Sequence, residues 1–126
     1  EPLKIFTKKM SITEPNKVFT STSIRESVLN TLSDSIENYE FIKKSSALKF
    51  GNIASGDGCF YPRLGPTHEW DTAAGQILVE EAGGIVVDKF MKPLRYNKNR
   101  TFINEEFFVI ADQDYDWKSI INTIFE

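Results

Sequence analysis

The run Trp70-Asp71-Thr72-Ala73-Ala74-Gly75 sets a carboxylate ahead of a row of small residues at the expected start of a helix. Backbone amides and the positive end of a helix dipole favour an anion there, and small residues leave room for close approach. A carboxylate at that place could also hold a divalent metal that bridges to a phosphate. Taken alone, Asp71 is more economically a helix cap. A second run, Ser45-Ser46-Ala47-Leu48-Lys49, offers two hydroxyls and free amides at another helix start, with a cation one turn in. That also suits an anion, and its plain alternative is a serine cap with a solvated lysine. The third run, Tyr61-Pro62-Arg63-Leu64-Gly65-Pro66-Thr67, puts an arginine on a proline-bounded loop. A guanidinium held there can fork onto a phosphate or stack on a base, and the plain alternative is a surface turn.

The elements that must position these groups alternate. Strands are expected at Lys4–Thr7, Lys17–Ser21, Tyr39–Ile42, Cys59–Tyr61, Ile85–Val87 and Phe107–Ala111, with the fourth stopping at Pro62. Helices are expected at Arg25–Glu37, where Val28, Leu29, Leu32 and Ile36 share a face, and from the paired serines to Ala54, ended by Gly56 and Gly58. Two more run from Asp71 to about Ala82, with Gly83 and Gly84 beyond it, and from Trp117 to Phe125. Alternation with short connections implies an α/β layer architecture. In such sheets ligands gather at the carboxyl ends of strands, and all three candidate runs follow strands. His68, the Lys43-Lys44 pair and the aromatic tail Phe107, Phe108, Tyr115 and Trp117 read as solvated or core residues.

Composition sets outer bounds. The 126 residues suit one domain, 40% apolar and 26% charged, with a formal charge of −3 from 15 basic and 18 acidic side chains. That balance speaks against a nucleic-acid polymer as partner, while a small anion needs only two or three local cations. Cys59 is the only cysteine, so no intrachain disulfide or cysteine zinc site can form, which fits a reducing cytoplasm. No apolar run approaches the ~20 residues of a membrane span, and the reading is a cytoplasmic protein with peripheral membrane attachment left open. The first residue is Glu1 rather than Met, so a longer native chain is expected.

From Ser45 to about Val109 the chain resembles the second domain of the inositol monophosphatase superfamily, whose signature is similar to Trp70-Asp71-Thr72-Ala73-Ala74-Gly75. Combined with Ser-Ser-x-Leu-Lys-Phe and Tyr-Pro-Arg-x-Gly-Pro-Thr, it looks like the 3′(2′),5′-bisphosphate nucleotidases of the CysQ type. Glu81-Ala82-Gly83-Gly84, Lys92-Pro93-Leu94 and Phe102-Ile103-Asn104 agree. The resemblance implies a mixed sheet flanked by helices, and removal of the 3′-phosphate from 3′-phosphoadenosine 5′-phosphate to give AMP. It implies several Mg²⁺ ions, with Asp71 as a ligand. Ser45, Ser46, Lys49 and Arg63 would hold the nucleotide bisphosphate, with Tyr61 and Thr67 in the same wall and Asp71 at the substrate.

The departures are specific. Such phosphatases draw most metal ligands from a first domain with an Asp-Pro-x-Asp element, and none occurs here. The expectation is therefore a single C-terminal domain whose N-terminal metal-binding partner domain lies outside the sequence, leaving the fragment incomplete and inactive. Ile24 stands where many such nucleotidases carry histidine, which removes one nucleotide contact. Two other readings remain: a phosphatase of the same fold acting on inositol monophosphate, and a non-catalytic nucleotide-binding remnant.

Overall fold

The computed structural model describes residues 6–11, 14–20, 26–36, 38–43, 48–64, 67–94, 103–104 and 106–125, with the side chains of 48, 49, 51, 67–71, 103 and 104 outside that description. In chain order the elements are β1 (Asn16–Thr20), α1 (Glu26–Ser35), β2 (Tyr39–Lys43), α2 (Leu48–Ala54), β3 (Phe60–Arg63), β4 (Thr67–His68), α3 (Glu69–Glu81), β5 (Ile85–Val87), β6 (Ile103–Asn104), β7 (Phe107–Ile110) and α4 (Trp117–Ile124). The main sheet has five strands in the order β2-β1-β3-β7-β5, and β4 and β6 form a separate pair. β1 runs parallel to β2 and β3, while β7 is antiparallel to both β3 and β5. The sheet is therefore mixed and lies between helices, as the sequence implied.

Strand alternation divides the core in two. Val18, Phe60, Phe108 and Ile110 turn to one face and pack with Val28, Leu32 and Ile36, and with Trp117, Ile120 and Ile121 of α4. Their chain neighbours Phe19, Tyr61, Phe107 and Val109 turn to the other face and pack with Phe50, Ile53 and Ala54 of α2 and Val79 of α3. Trp117 seats α4 by stacking on Phe60 at 4.3 Å and donating its ring N–H to the Asp112 carbonyl at 2.9 Å.

Both long turns out of the second helix layer end on glycine in the left-handed region. At Gly56 (φ +86) the Gly56 N–H donates to Ile53 O at 3.1 Å and the Asp57 N–H to Asn52 O at 2.8 Å. At Gly83 (φ +107) the Gly83 N–H donates to Glu80 O at 3.1 Å and the Gly84 N–H to Val79 O at 3.0 Å. These paired bonds satisfy carbonyls that the helices leave open, and the positive φ is available at little cost only to glycine.

Four expectations need correction. β3 does not stop at Pro62 but runs through it to Arg63. The Ala111 N–H donates to Cys59 O at 3.0 Å, so Pro62↔Phe108 is a pair without mutual hydrogen bonds and β7 loses nothing to the missing N–H. The proline nitrogen faces β1 instead, where the ladder is confined to Val18↔Phe60. α3 begins at Glu69, two residues before Asp71, because β4 runs directly into it. Two acids then lie in its first turn beside the positive end of the dipole. The expected strand Lys4–Thr7 is absent over its described residues: Phe6 to Met10 have no regular structure, and the chain is tied down by the Thr7 N–H to Ala82 O at 2.9 Å. β4 and β6 were not anticipated. Of the expected core aromatics, Phe107, Phe108 and Trp117 are buried, while Tyr115 is half-buried.

Candidate active site

Parallel order brings the carboxyl ends of β1, β2 and β3 to one edge of the sheet, at Thr20, Lys43 and Arg63. β7 runs the other way, so its first residue, Phe107, stands opposite Arg63. α2 leaves this edge from the end of β2 and returns the chain toward the start of β3. α3 returns through Gly83 and Gly84 to the start of β5, so its first turn also belongs to the carboxyl edge. α2 and α3 pack together, with the Phe50 ring against Gly75. A Cβ built on Gly75 would lie 2.4 Å from Cγ of that ring and 2.7 Å from both Cδ atoms. The glycine of the helix-start motif thus admits a ring of the protein's own core rather than a ligand.

Tyr61 and Arg63 are two apart on β3 and so share the face from which α2 and α3 rise. Tyr61 is buried, edge-on to Phe50 at 6.1 Å and to Phe107 at 6.0 Å. Burial pushes its phenol above the ordinary value, while the Arg63 guanidinium, by charge and by a side-chain hydrogen bond, pulls it back. Arg63 is half-buried at the strand end. A buried phenol beside an arginine restricts where the guanidinium can lie.

The other sequence candidates fall around this pair. Lys49 lies in the first turn of α2 and Asp71 in the first turn of α3, each with its side chain outside the description. Thr67 pairs with Asn104 across β4 and β6. Ser45, Ser46 and Ile24 lie outside the described residues. Lys43, read as solvated, is exposed. His68 sits in β4.

Two further groups at this edge escaped the sequence reading. The Thr20 hydroxyl is buried and has no hydrogen-bond partner among the described residues. Glu106, 18% exposed, precedes Phe107 and ion-pairs with Lys89 at 3.6 Å. Thr20 shares the parity of Val18 and Glu106 that of Phe108, so strand alternation sets both on the α1/α4 face, opposite to Arg63, at the same end of the sheet.

Mg²⁺ needs clustered carboxylates or substrate phosphates around it. Among the described residues, no group of three or more His, Cys, Asp or Glu side chains could hold a metal. The described donors therefore do not make a magnesium centre by themselves. No described helix is long and apolar enough to cross a membrane.

A mixed sheet whose carboxyl edge gathers a half-buried arginine and the first turns of two helices is an architecture suited to small phosphorylated ligands. The inositol monophosphatase family model matches residues 5–121, and the chain belongs to that family. Within it, the chain is 46% identical to the 3′(2′),5′-bisphosphate nucleotidase CysQ of Haemophilus influenzae over 76 residues, 60% of this chain and 28% of that protein. It is 37% identical to the CysQ nucleotidase of Escherichia coli over 95 residues, 75% of this chain and 39% of that one. The chain thus spans well under half the length of these relatives. Among solved structures it is similar to CysQ from Bacteroides thetaiotaomicron, with a TM-score of 0.67 and 29% identity over 83% of this chain and 40% of that one. It shares its fold with an inositol monophosphatase from Zymomonas mobilis, with a TM-score of 0.73 and 19% identity over 97% of this chain and 47% of that one.

Proposed function

We propose that this chain is the nucleotide-holding domain of a Mg²⁺-dependent 3′(2′),5′-bisphosphate nucleotidase, which releases the 3′-phosphate of 3′-phosphoadenosine 5′-phosphate and leaves AMP. The observation that carries the reading is the Tyr61–Arg63 pair at the carboxyl end of β3, on the face from which α2 and α3 rise. Arg63 forks onto a phosphate of the nucleotide, with Ser45, Ser46 and Lys49 at the start of α2 beside it. Tyr61 and Thr67 wall the pocket. Asp71 contributes one carboxylate to the metal cluster, and an N-terminal domain contributes the rest. Bound Mg²⁺ would activate the attacking water and stabilise the leaving oxygen. The relatives named as CysQ nucleotidases support the substrate class. The cytoplasm is the proposed compartment.

The test is calorimetric titration of this chain with adenosine 3′,5′-bisphosphate, alongside a phosphate-release assay. The expected result is binding without release. Arg63→Ala should weaken binding roughly 10- to 100-fold, the loss of a forked charge-assisted contact. Arg63→Lys should recover only part, because it restores charge without the fork. Binding that ignores Arg63→Ala, or inositol 1-phosphate binding as tightly as the nucleotide, would refute the assignment.

A further inference from the structure

A small cavity lies at the end of the sheet opposite Arg63, where β1 and β3 begin. The chain before β1, the turn after α2 and the first residue of β1 enclose about 60 Å³ there. A water needs roughly 10–15 Å³ of such space, so the cavity takes about four waters or one tetrahedral oxyanion. Its lining carries three cations, Lys8, Lys9 and Lys17, against one acid, Asp57. The chain as a whole carries a charge of −3, so the sign is locally reversed.

The three cations are held to different degrees. Lys9 Nζ lies between Asp112 at 3.3 Å and Asp114 at 2.9 Å. Lys8 meets Glu14 at 3.0 Å and Lys17 meets Asp57 at 3.1 Å, each through a single contact between side chains at least 41% exposed. Pairs of that kind are weak, so both ammonium groups can turn to a better acceptor. Lys8 also reaches the cavity floor electrostatically: burial raises the Cys59 thiol, and the charge of Lys8 pulls it back. The backbone supplies a third donor. Gly58 is buried in the cavity wall. The N–H groups on either side of it are used, that of Asp57 by Asn52 O at 2.8 Å and that of Cys59 by Lys17 O at 2.8 Å. The Gly58 N–H has no hydrogen-bond partner among the described residues. A buried amide is ordinarily paired, with protein or with a bound molecule beside it.

We propose that this cavity binds a tetrahedral oxyanion of the phosphate and sulfate kind, held by Lys8, Lys17 and the Gly58 N–H. A dianion carries twice the charge of Glu14 or Asp57 and more acceptor oxygens, so one ion serves both ammonium groups at once. Asp57 then gives up Lys17 and keeps Asn52, whose Nδ2 lies 3.3 Å from its other oxygen. The site is remote from the Arg63 edge and independent of the substrate reading above. The test is a titration of the ¹⁵N-labelled 126-residue chain with sodium phosphate and, separately, with sodium sulfate, read by amide chemical shifts against chloride at matched ionic strength. The Gly58, Lys8 and Lys17 signals should move to saturation with a Kd of about 1 mM. Saturation by either ion sustains the site, and the ratio of the two affinities names the ion it favours. Gly58 itself cannot carry the test, because a Cβ there would lie 2.1 Å from Cε2 of Phe19. Lys8→Gln and Lys17→Gln should keep the fold by circular dichroism and each weaken binding about tenfold, the loss of one charged hydrogen bond. Asp57→Asn should tighten binding several-fold, because the charge competing for Lys17 is gone, a gain that a purely structural role would not give. Shifts that grow without saturating, as with chloride, overturn the proposal. So does an affinity that neither lysine variant lowers, or an Asp57→Asn chain that binds more weakly than wild type.

Discussion

Gly75→Ala tests whether the small residue in the helix-start motif exists for packing. Alanine ordinarily stabilises a helix interior by about 1 kcal/mol relative to glycine. Here the new methyl would sit 2.4 to 2.7 Å from three atoms of the Phe50 ring, far inside ordinary contact. The ring cannot swing clear. Phe50 is 6% exposed, stacked on Phe107 at 5.8 Å and edge-on to Tyr61 at 6.1 Å. Forcing a methyl into such a contact costs about 1–3 kcal/mol, so after the propensity gain the net loss should be up to about 2 kcal/mol. For a domain of this size that is a fall in midpoint of up to about 8 °C. Urea unfolding at neutral pH, followed by tryptophan fluorescence, measures it, with an unchanged m-value showing that the compactness of the two states is unaltered. Phe50→Leu, combined with Gly75→Ala, should show a favourable coupling, because the smaller side chain removes the clash. A Gly75→Ala protein more stable than wild type by the propensity gain of about 1 kcal/mol would refute the claim that Phe50 occupies the space above the glycine.

Three other perturbations probe the fold at the opposite edge of the sheet. The Asp112 carboxylate accepts the Met10 N–H at 2.9 Å, the Asp114 N–H at 3.0 Å and Lys9 Nζ at 3.3 Å. Burial pushes its pKa up, but those bonds outweigh it and hold the group below its ordinary 3.8. Its contribution is therefore present above about pH 4 and is lost as pH falls through the depressed folded value. Asp112→Ala should cost about 1–3 kcal/mol at pH 7 by chemical unfolding, and the difference should shrink in acid. Asp116 caps α4, accepting the Ser119 N–H at 3.3 Å and the Ser119 hydroxyl at 2.7 Å, so Asp116→Ala should cost about 1 kcal/mol in the same assay. Burial pushes the Cys59 thiol up to about 12. Native protein at pH 8 should therefore resist a thiol reagent that labels it at once in denaturant, and prompt native labelling would contradict that environment.

What the sequence made legible was local chemistry. Gly56 and Gly83 end their helices as their positions promised, because a left-handed residue after an apolar periodic run has few other uses. The face of α1 carrying Val28, Leu32 and Ile36 follows from spacing alone. β4 and β6 were not legible. Strands of two residues show no periodicity, and their partners are more than thirty positions apart in sequence. The buried Thr20 hydroxyl, without a hydrogen-bond partner among the described residues, was hidden for the same reason, since nothing near it in sequence reveals which strands flank β1.

Pro62 shows how a sound local rule conceals a site. Proline lacks the N–H that a ladder needs, so ending β3 before it was the natural reading. That reading places Arg63 on a loop, free to point anywhere. The antiparallel alternation set at Ala111 and Cys59 turns the proline nitrogen away from β7, and the strand continues. Arg63 then inherits the direction of Tyr61, two residues earlier, and is carried to the face of α2 and α3 by strand geometry. Proline is thus compatible with the placement of the arginine because its defect falls on β1, where pairing with β3 is already reduced to Val18↔Phe60. A substitution at Pro62 that restores an N–H could extend that ladder without moving Arg63. It follows that the arginine's position rests on its pairing with Phe107 rather than on the rigidity of the proline ring.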